Sequence, residues 1–208
     1  MLNRPAKRGL GFTLIEMVVT MAVFALLVAL TIPTMRTWVA NVKVRAVADA
    51  LQNGLRLAQA ESLRRSRQMV FSLTNSSTPQ NGFTAAVNGI YWSINTVPSM
   101  TDGTETAANS FVESGVLTST TANVAVTAAQ AAICFNSVGR LVANGLPGVT
   151  GITGGPTCAL PTGTPPVLKY NITTTGGDRP LQVQVALGGQ VHMCDPNVVF
   201  SSSNPTGC

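Results

Sequence analysis

From Phe12 to Ile32 the chain carries a single charged residue, Glu16, in 21 positions. As a helix rising ~1.5 Å per residue, that run spans ~30 Å, the hydrocarbon thickness of a bilayer. It must be covered by lipid or by other apolar helices. Arg4, Lys7 and Arg8 precede it and few basic residues follow closely, which predicts the N-terminus inside and the bulk of the chain outside. A secretory signal peptide has a shorter apolar stretch, about 7–15 residues, and a small-residue cleavage site behind it. Thr31-Ile32-Pro33 offers no such site. A plain single-span anchor leaves the acid unexplained, because a carboxylate near the membrane costs at least ~2.5 kcal/mol by insertion scales unless it finds a partner.

Charge says little about a basic partner. The 208 residues carry a formal charge of +5 with a mean hydropathy of +0.29, and only 10% are charged. Without Arg4, Lys7 and Arg8, ten basic residues face eight acidic ones. The basic balance therefore belongs mostly to the first few residues and bears on membrane orientation. The length allows one ordinary domain beside the apolar segment.

Gly11-Phe12-Thr13-Leu14-Ile15-Glu16, behind a short basic leader, resembles the class III signal of type IV pilins and pseudopilins. The resemblance implies that a prepilin peptidase cuts between Gly11 and Phe12 and methylates the new Phe12 amine. It also gives Glu16 a role. As the fifth residue of the mature chain, Glu16 would pair with the Phe12 ammonium of a neighbouring subunit and set the axial register between them. Buried together in an apolar filament core, the two charges offset each other's desolvation, and either alone would be costly. Pro33 removes an intrahelical hydrogen bond and is expected to kink or locally unwind the helix, at a place where the family often carries a proline.

Beyond the membrane the pattern turns amphipathic. Val44, Val47, Leu51, Leu55, Ala58 and Ser62 step by three or four residues, one helical stripe between 37 and 67. Lys43, Arg45, Asp49, Gln52, Arg56, Gln59 and Arg64 take the other faces. Arg64, Arg65 and Arg67 crowd the last turn, where cations favour the helix dipole, and read as a solvated helix end rather than an anion site. Strands are expected at 69–74, on both sides of an Asn88-Gly89 hairpin between 83 and 94, near 111–117, from 131, and at 168–173, 181–187 and 190–194. The stretch 96–129 otherwise reads as polar loop, and 146–166 as Gly- and Pro-rich loop. One long helix followed by strands is an α+β arrangement, here a pilin fold with the helix packed on an antiparallel sheet. The expected division is a leader at 1–11, a transmembrane or filament-core helix at 12–36, and a periplasmic head at 37–208. "AAICFNSVGRL" and "RPLQVQVALGGQVHMC", with a cysteine at the extreme C-terminus, resemble the GspH/FimT-like branch of minor pilins.

Cys134, Cys158, Cys194 and Cys208 form no C-x-x-C pair, and an even count in an exported chain favours two disulfides. Three connectivities are open. Cys194–Cys208 would close a short tail loop and Cys134–Cys158 would staple the Gly/Pro loop to its strand. Those two bridges are favoured.

An enzyme lacks its parts here. His192 is the lone histidine and sits at an alternate strand position, and no nucleophile elbow, phosphate loop or metal-spaced cluster appears. No cofactor or metal is expected. The resemblance implies as partners the prepilin peptidase, other pilins in a mixed filament, and the inner membrane before assembly. Three roles follow from it: a type IV pilus minor subunit near the tip, a type II secretion pseudopilin, or a pilus subunit that captures DNA. DNA-binding relatives carry several arginines on their C-terminal strands. Here Arg179 stands beside Asp178, with only Arg140 and Lys169 to join it, so weak DNA binding is expected.

Overall fold

The computed structural model describes residues 11–97, 106–118, 123–144, 152–153 and 158–208. Nearly all of the expected leader, and residues 146–151 and 154–157 of the loop expected from 146 to 166, lie outside them.

One helix, α1 (Leu14–Arg65), carries both the apolar run and the amphipathic stripe. It starts where Thr13 caps it, the hydroxyl accepting from the Glu16 N–H at 3.3 Å. The helix is continuous across position 33, so the expected unwinding at Pro33 is not there. The helix ends at Arg65, two residues short of the expected end. Ser66 turns left-handed (φ 50°), its N–H donating to Leu63 and that of Arg67 to Ser62, which satisfies carbonyls the last turn leaves open.

The strands are β1 (Met69–Thr74), β2 (Phe83–Thr84), β3 (Tyr91–Thr96), β4 (Phe111–Val116), β5 (Val124–Ala128), β6 (Ala132–Phe135), β7 (Leu141–Val142), β8 (Ile152–Thr153), β9 (Val167–Thr174), β10 (Leu181–Ala186) and β11 (Val191–Cys194). A single helical turn, α2 (Ala107–Ser110), leads into β4. One antiparallel sheet runs β4-β3-β1-β6-β7 and a second runs β11-β10-β9-β5, while β2 and β8 make a short parallel pair.

Three strand expectations fail, the first at Ile152–Thr153, which pairs with β2 inside the stretch 146–166 expected to be loop. The hairpin across Asn88-Gly89 does not form, because β3 pairs with β1 and β4, and β2 with β8. The Gly89 N–H donates to Ala86, so the turn exists, but the residues before it run along the end of β1 instead, with Thr74 opposite Ala85. Within the stretch expected to be loop, Val124–Ala128 forms β5, an edge strand with Val124, Val126 and Ala128 buried and Ala125 and Thr127 exposed.

The expected stripe lies against both sheets. Val44, Val47, Leu51, Leu55, Ala58 and Ser62 are all buried, at 0–5% exposure. The five apolar ones share a core with Phe71, Ile94 and Phe135 of the first sheet and Tyr170, Ile172, Val183 and Val185 of the second. Burying Leu51 and Leu55 contributes about 1.5–3 kcal/mol each. Gly54 permits the close approach, since a Cβ there would meet the rings of Trp92 and Phe71 at 3.0–3.2 Å. Those rings stack at 5.8 Å. Burial pushes the Tyr170 phenol well above its ordinary pKa, so it stays neutral. Central β1 is buried on both faces, because the Cys134–Cys158 bridge covers Val70 and Ala132 on the side away from the helix.

A second seam joins the two sheets at their turns. The Leu141 N–H donates to Leu187, and Gln59 of the helix donates to the Gly139 carbonyl at 2.9 Å. Gly189 packs so tightly on that carbonyl that no side chain could replace its hydrogen.

Candidate functional site: the stem and its junction with the head

Among the described residues nothing covers the lower stem. Phe12, Leu14, Ile15, Met21, Phe24, Leu26 and Leu30 are 62–83% exposed, and α1 is long and apolar enough to cross a membrane. Glu16 stands in its first turn, where the helix dipole favours an anion. No ion pair or side-chain hydrogen bond of its carboxylate occurs among the described residues. Thr13-x-x-Glu16 is also a capping-box spacing, a signal present in the sequence that the resemblance alone overlooks. Gly11 and Phe12 lie exposed ahead of the helix, and none of the other described residues comes within 4 Å of a Cβ at Gly11.

The arginines at the helix end are satisfied within the chain. Arg64 donates twice to Glu61, at 2.9 and 2.7 Å, and Arg65 once at 2.7 Å. Hydrogen bonds from Arg64, then Arg65, hold the Glu61 carboxyl down at about 2. Arg67 donates to the Val97 carbonyl.

The head meets the stem at Asn41. Its side chain donates to Asp178 at 2.6 Å and accepts from the N–H groups of Asp178 and Arg179. Arg179 is thus fixed in the β9–β10 connection, beside an acid. Lys169 stands opposite Gln184 on β9, at the other end of that ladder, about 16 Å along at ~3.3 Å per residue. Arg140 sits in the β6–β7 turn, near Lys169's end. The three candidate DNA contacts do not converge. Between them Gln182 is buried, donating to Asn171 and accepting from Gln184. His192 is exposed on β11 opposite Gln184.

Cys134 is bonded to Cys158 and Cys194 to Cys208. The second bridge closes a tail loop that exposes Val199 and Phe200, 84% and 64% accessible. Among the described residues no group of three or more His, Cys, Asp or Glu could hold a metal ion.

The prokaryotic N-terminal methylation motif matches residues 7–32. Among curated proteins there is no match. Two crystal forms of the type IV minor pilin FimU of Pseudomonas aeruginosa are similar in shape. One is 11% identical with a TM-score of 0.47, over 77% of this chain and 97% of that one. The other is 12% identical with a TM-score of 0.45, over 75% and 99%. Likenesses so distant carry no assignment. The chain carries the prokaryotic N-terminal methylation motif at the head of one long helix laid across antiparallel sheets.

Proposed function

We propose that the chain is a minor subunit of a type IV pilus, held in the inner membrane by residues 12–36 with its head in the periplasm, then built into the filament at or near the tip to prime assembly. The observation that carries this reading is Glu16. It is an acid without an ion-pair partner among the described residues, at the start of a helix whose apolar side chains stand open. Copies of the same helix would cover those side chains and bring a Phe12 ammonium to the carboxylate. Its cost when unpaired turns an apolar bundle into one with a fixed register. The prepilin peptidase and other pilins are the partners this requires. Placing it among minor rather than major subunits rests on its C-terminal sequence fragments.

Intact mass of membrane-extracted protein tests the processing, with loss of Met1–Gly11 and one added methyl expected. A mature chain beginning elsewhere, such as after Ile32, overturns the reading. Glu16→Ala should insert at least as well as the parent and fail to join filaments, whereas normal assembly would remove the pairing role. A pseudopilin of a type II secretion system would share every one of these features. Neighbouring genes separate the two: other minor pilins and a large tip protein, or a secretion ATPase and secretin.

A further inference from the structure

We propose that the cavity beneath the head, between the lower stem and the ends of β5 and β9, binds the headgroup of an anionic phospholipid before the subunit leaves the membrane. The cavity has a volume of about 460 Å³. Ile32, Met35 and Val39 form its stem wall, and all three are 40–63% exposed. Arg36 and Lys43 lie on the same wall, and Asn123, Thr174 and Thr175 close the head side. The Thr174 hydroxyl donates to the Asn123 carbonyl and holds that wall together.

Height along the stem decides what can enter. With the hydrocarbon ending near Ile32, Arg36 stands about 6 Å above it and Lys43 about 16 Å, at ~1.5 Å per residue. The headgroup zone is about 5–7 Å deep on each side. Helical side chains lean toward the N-terminus, here toward the bilayer. Arg36 therefore enters the phosphate layer, and Lys43, leaning toward the bilayer, stays a few ångström above that layer and attracts the anionic surface from there. Acyl chains would lie below, along Ile32, with the phosphate at Arg36 and beneath Lys43.

Charge selects this cavity over its neighbour. Neither Arg36 nor Lys43 makes an ion pair among the described residues, and no acid lines the cavity. On the other side of the stem, a cavity of about 850 Å³ also holds two cations, Arg45 and Arg179, but Asp178 and Asp195 line it as well. That side is balanced, and it gives an anion no preference.

The inference rests on the membrane-stored state proposed above. The full chain is inserted into nanodiscs of equal parts phosphatidylglycerol and phosphatidylcholine, then released in a mass spectrometer and its retained lipids counted. Phosphatidylglycerol should be retained over phosphatidylcholine, with millimolar inorganic phosphate failing to displace it. A cation near an anionic surface contributes about fivefold, so Arg36→Gln with Lys43→Gln should lower the preference by up to roughly 25-fold. Arg45→Gln with Arg179→Gln should leave it in place. Both pairs are exposed, and equal thermal melting of the heads checks that folding is intact. Equal retention of the two lipids, an unchanged preference in the first double variant, or displacement by inorganic phosphate would each overturn the site. A chain that never enters the nanodisc sinks the membrane reading together with it, whereas entry without lipid preference sinks this inference alone.

Discussion

The two halves of α1 are both rich in apolar residues, yet they satisfy them in opposite ways. Above Val44 the apolar residues form a stripe, and two sheets of the same chain cover it to 0–5% exposure. Below Ile32 they surround the helix, and none of the described residues covers them. The upper half is held by intramolecular burial, so its residues count toward the stability of the head. The lower half waits for lipid or for other helices, so its residues count toward insertion and assembly. A stripe and a full circumference are legible differences in sequence, and here they mark where one covering medium gives way to another.

The sharpest way to break this contrast is a matched truncation in each half. Leu55→Ala should lower head stability by about 2–5 kcal/mol, the range for emptying a buried leucine site, read by denaturant unfolding in detergent. Leu27→Ala should change it by less than ~0.5 kcal/mol and show its effect in filament recovery. Equal losses from both would mean that the lower helix is packed on the head after all.

How far the sequence alone reaches follows the same line. The stripe was readable because it demands 3.6-residue spacing, and the strands at 69–74, 111–117 and 181–187 because valine, phenylalanine and leucine cluster there between turns. β5 carried a period-2 pattern, but in alanine, threonine and valine over five residues, too weak to stand out from a Thr-rich stretch. The failed hairpin shows the other limit. A turn at Asn88-Gly89 says where the chain reverses, not which strand it reverses onto, and long-range pairing with β1 outcompeted the local neighbour. At the candidate site, Gly11, Phe12 and Glu16 were legible as a motif. The cavity holding Arg36 and Lys43 was not, since it exists only once Asn123 and Thr174 are brought beneath the head.

Next in size comes the tail bridge, which asks whether the head is held by its core alone. Cys208→Ser opens a loop whose ends are 14 residues apart and should cost about 3 kcal/mol on the loop-entropy model. Thermal melting of the oxidised proteins measures it, and peptide mapping without reductant should recover Cys194 joined to Cys208 in the parent. No change in melting would place the stabilisation entirely in the core under α1.

A smaller effect tests the end of the covered half. The Glu61 carboxyl is held at about 2 against an ordinary 4.5. Its contribution to stability is therefore present above about pH 4.5 and lost as the pH falls toward 2. Glu61→Gln should flatten that part of the acid unfolding curve and change little at neutral pH, because Arg64 and Arg65 are 64% and 37% exposed. An unchanged slope between pH 4.5 and 2 would show that the arginines do not act through this acid.

The smallest expected effect is on DNA. With Arg179 at the far end of the ladder from Arg140 and Lys169, the head should bind duplex no better than ~10⁻⁴ M at physiological salt, the weak end of non-specific binding. Gel-shift titration at low and physiological salt checks this. Micromolar binding lost on Arg179→Ala would move the functional surface from the stem to the β9–β10 connection.

The contact between Gly139 and Gly189 limits how the subunit could be labelled. Gly188-Gly189 would be the natural place to insert an epitope or a fluorophore site, as a short turn between two strands. Yet Gly189 is pressed against the Gly139 carbonyl that Gln59 also holds, so an inserted residue would wedge the two sheets apart and loosen the helix between them. The tail loop inside the Cys194–Cys208 bridge exposes Val199 and Phe200 and can bulge outward without touching the seam. A tag meant to follow this subunit on a filament belongs there.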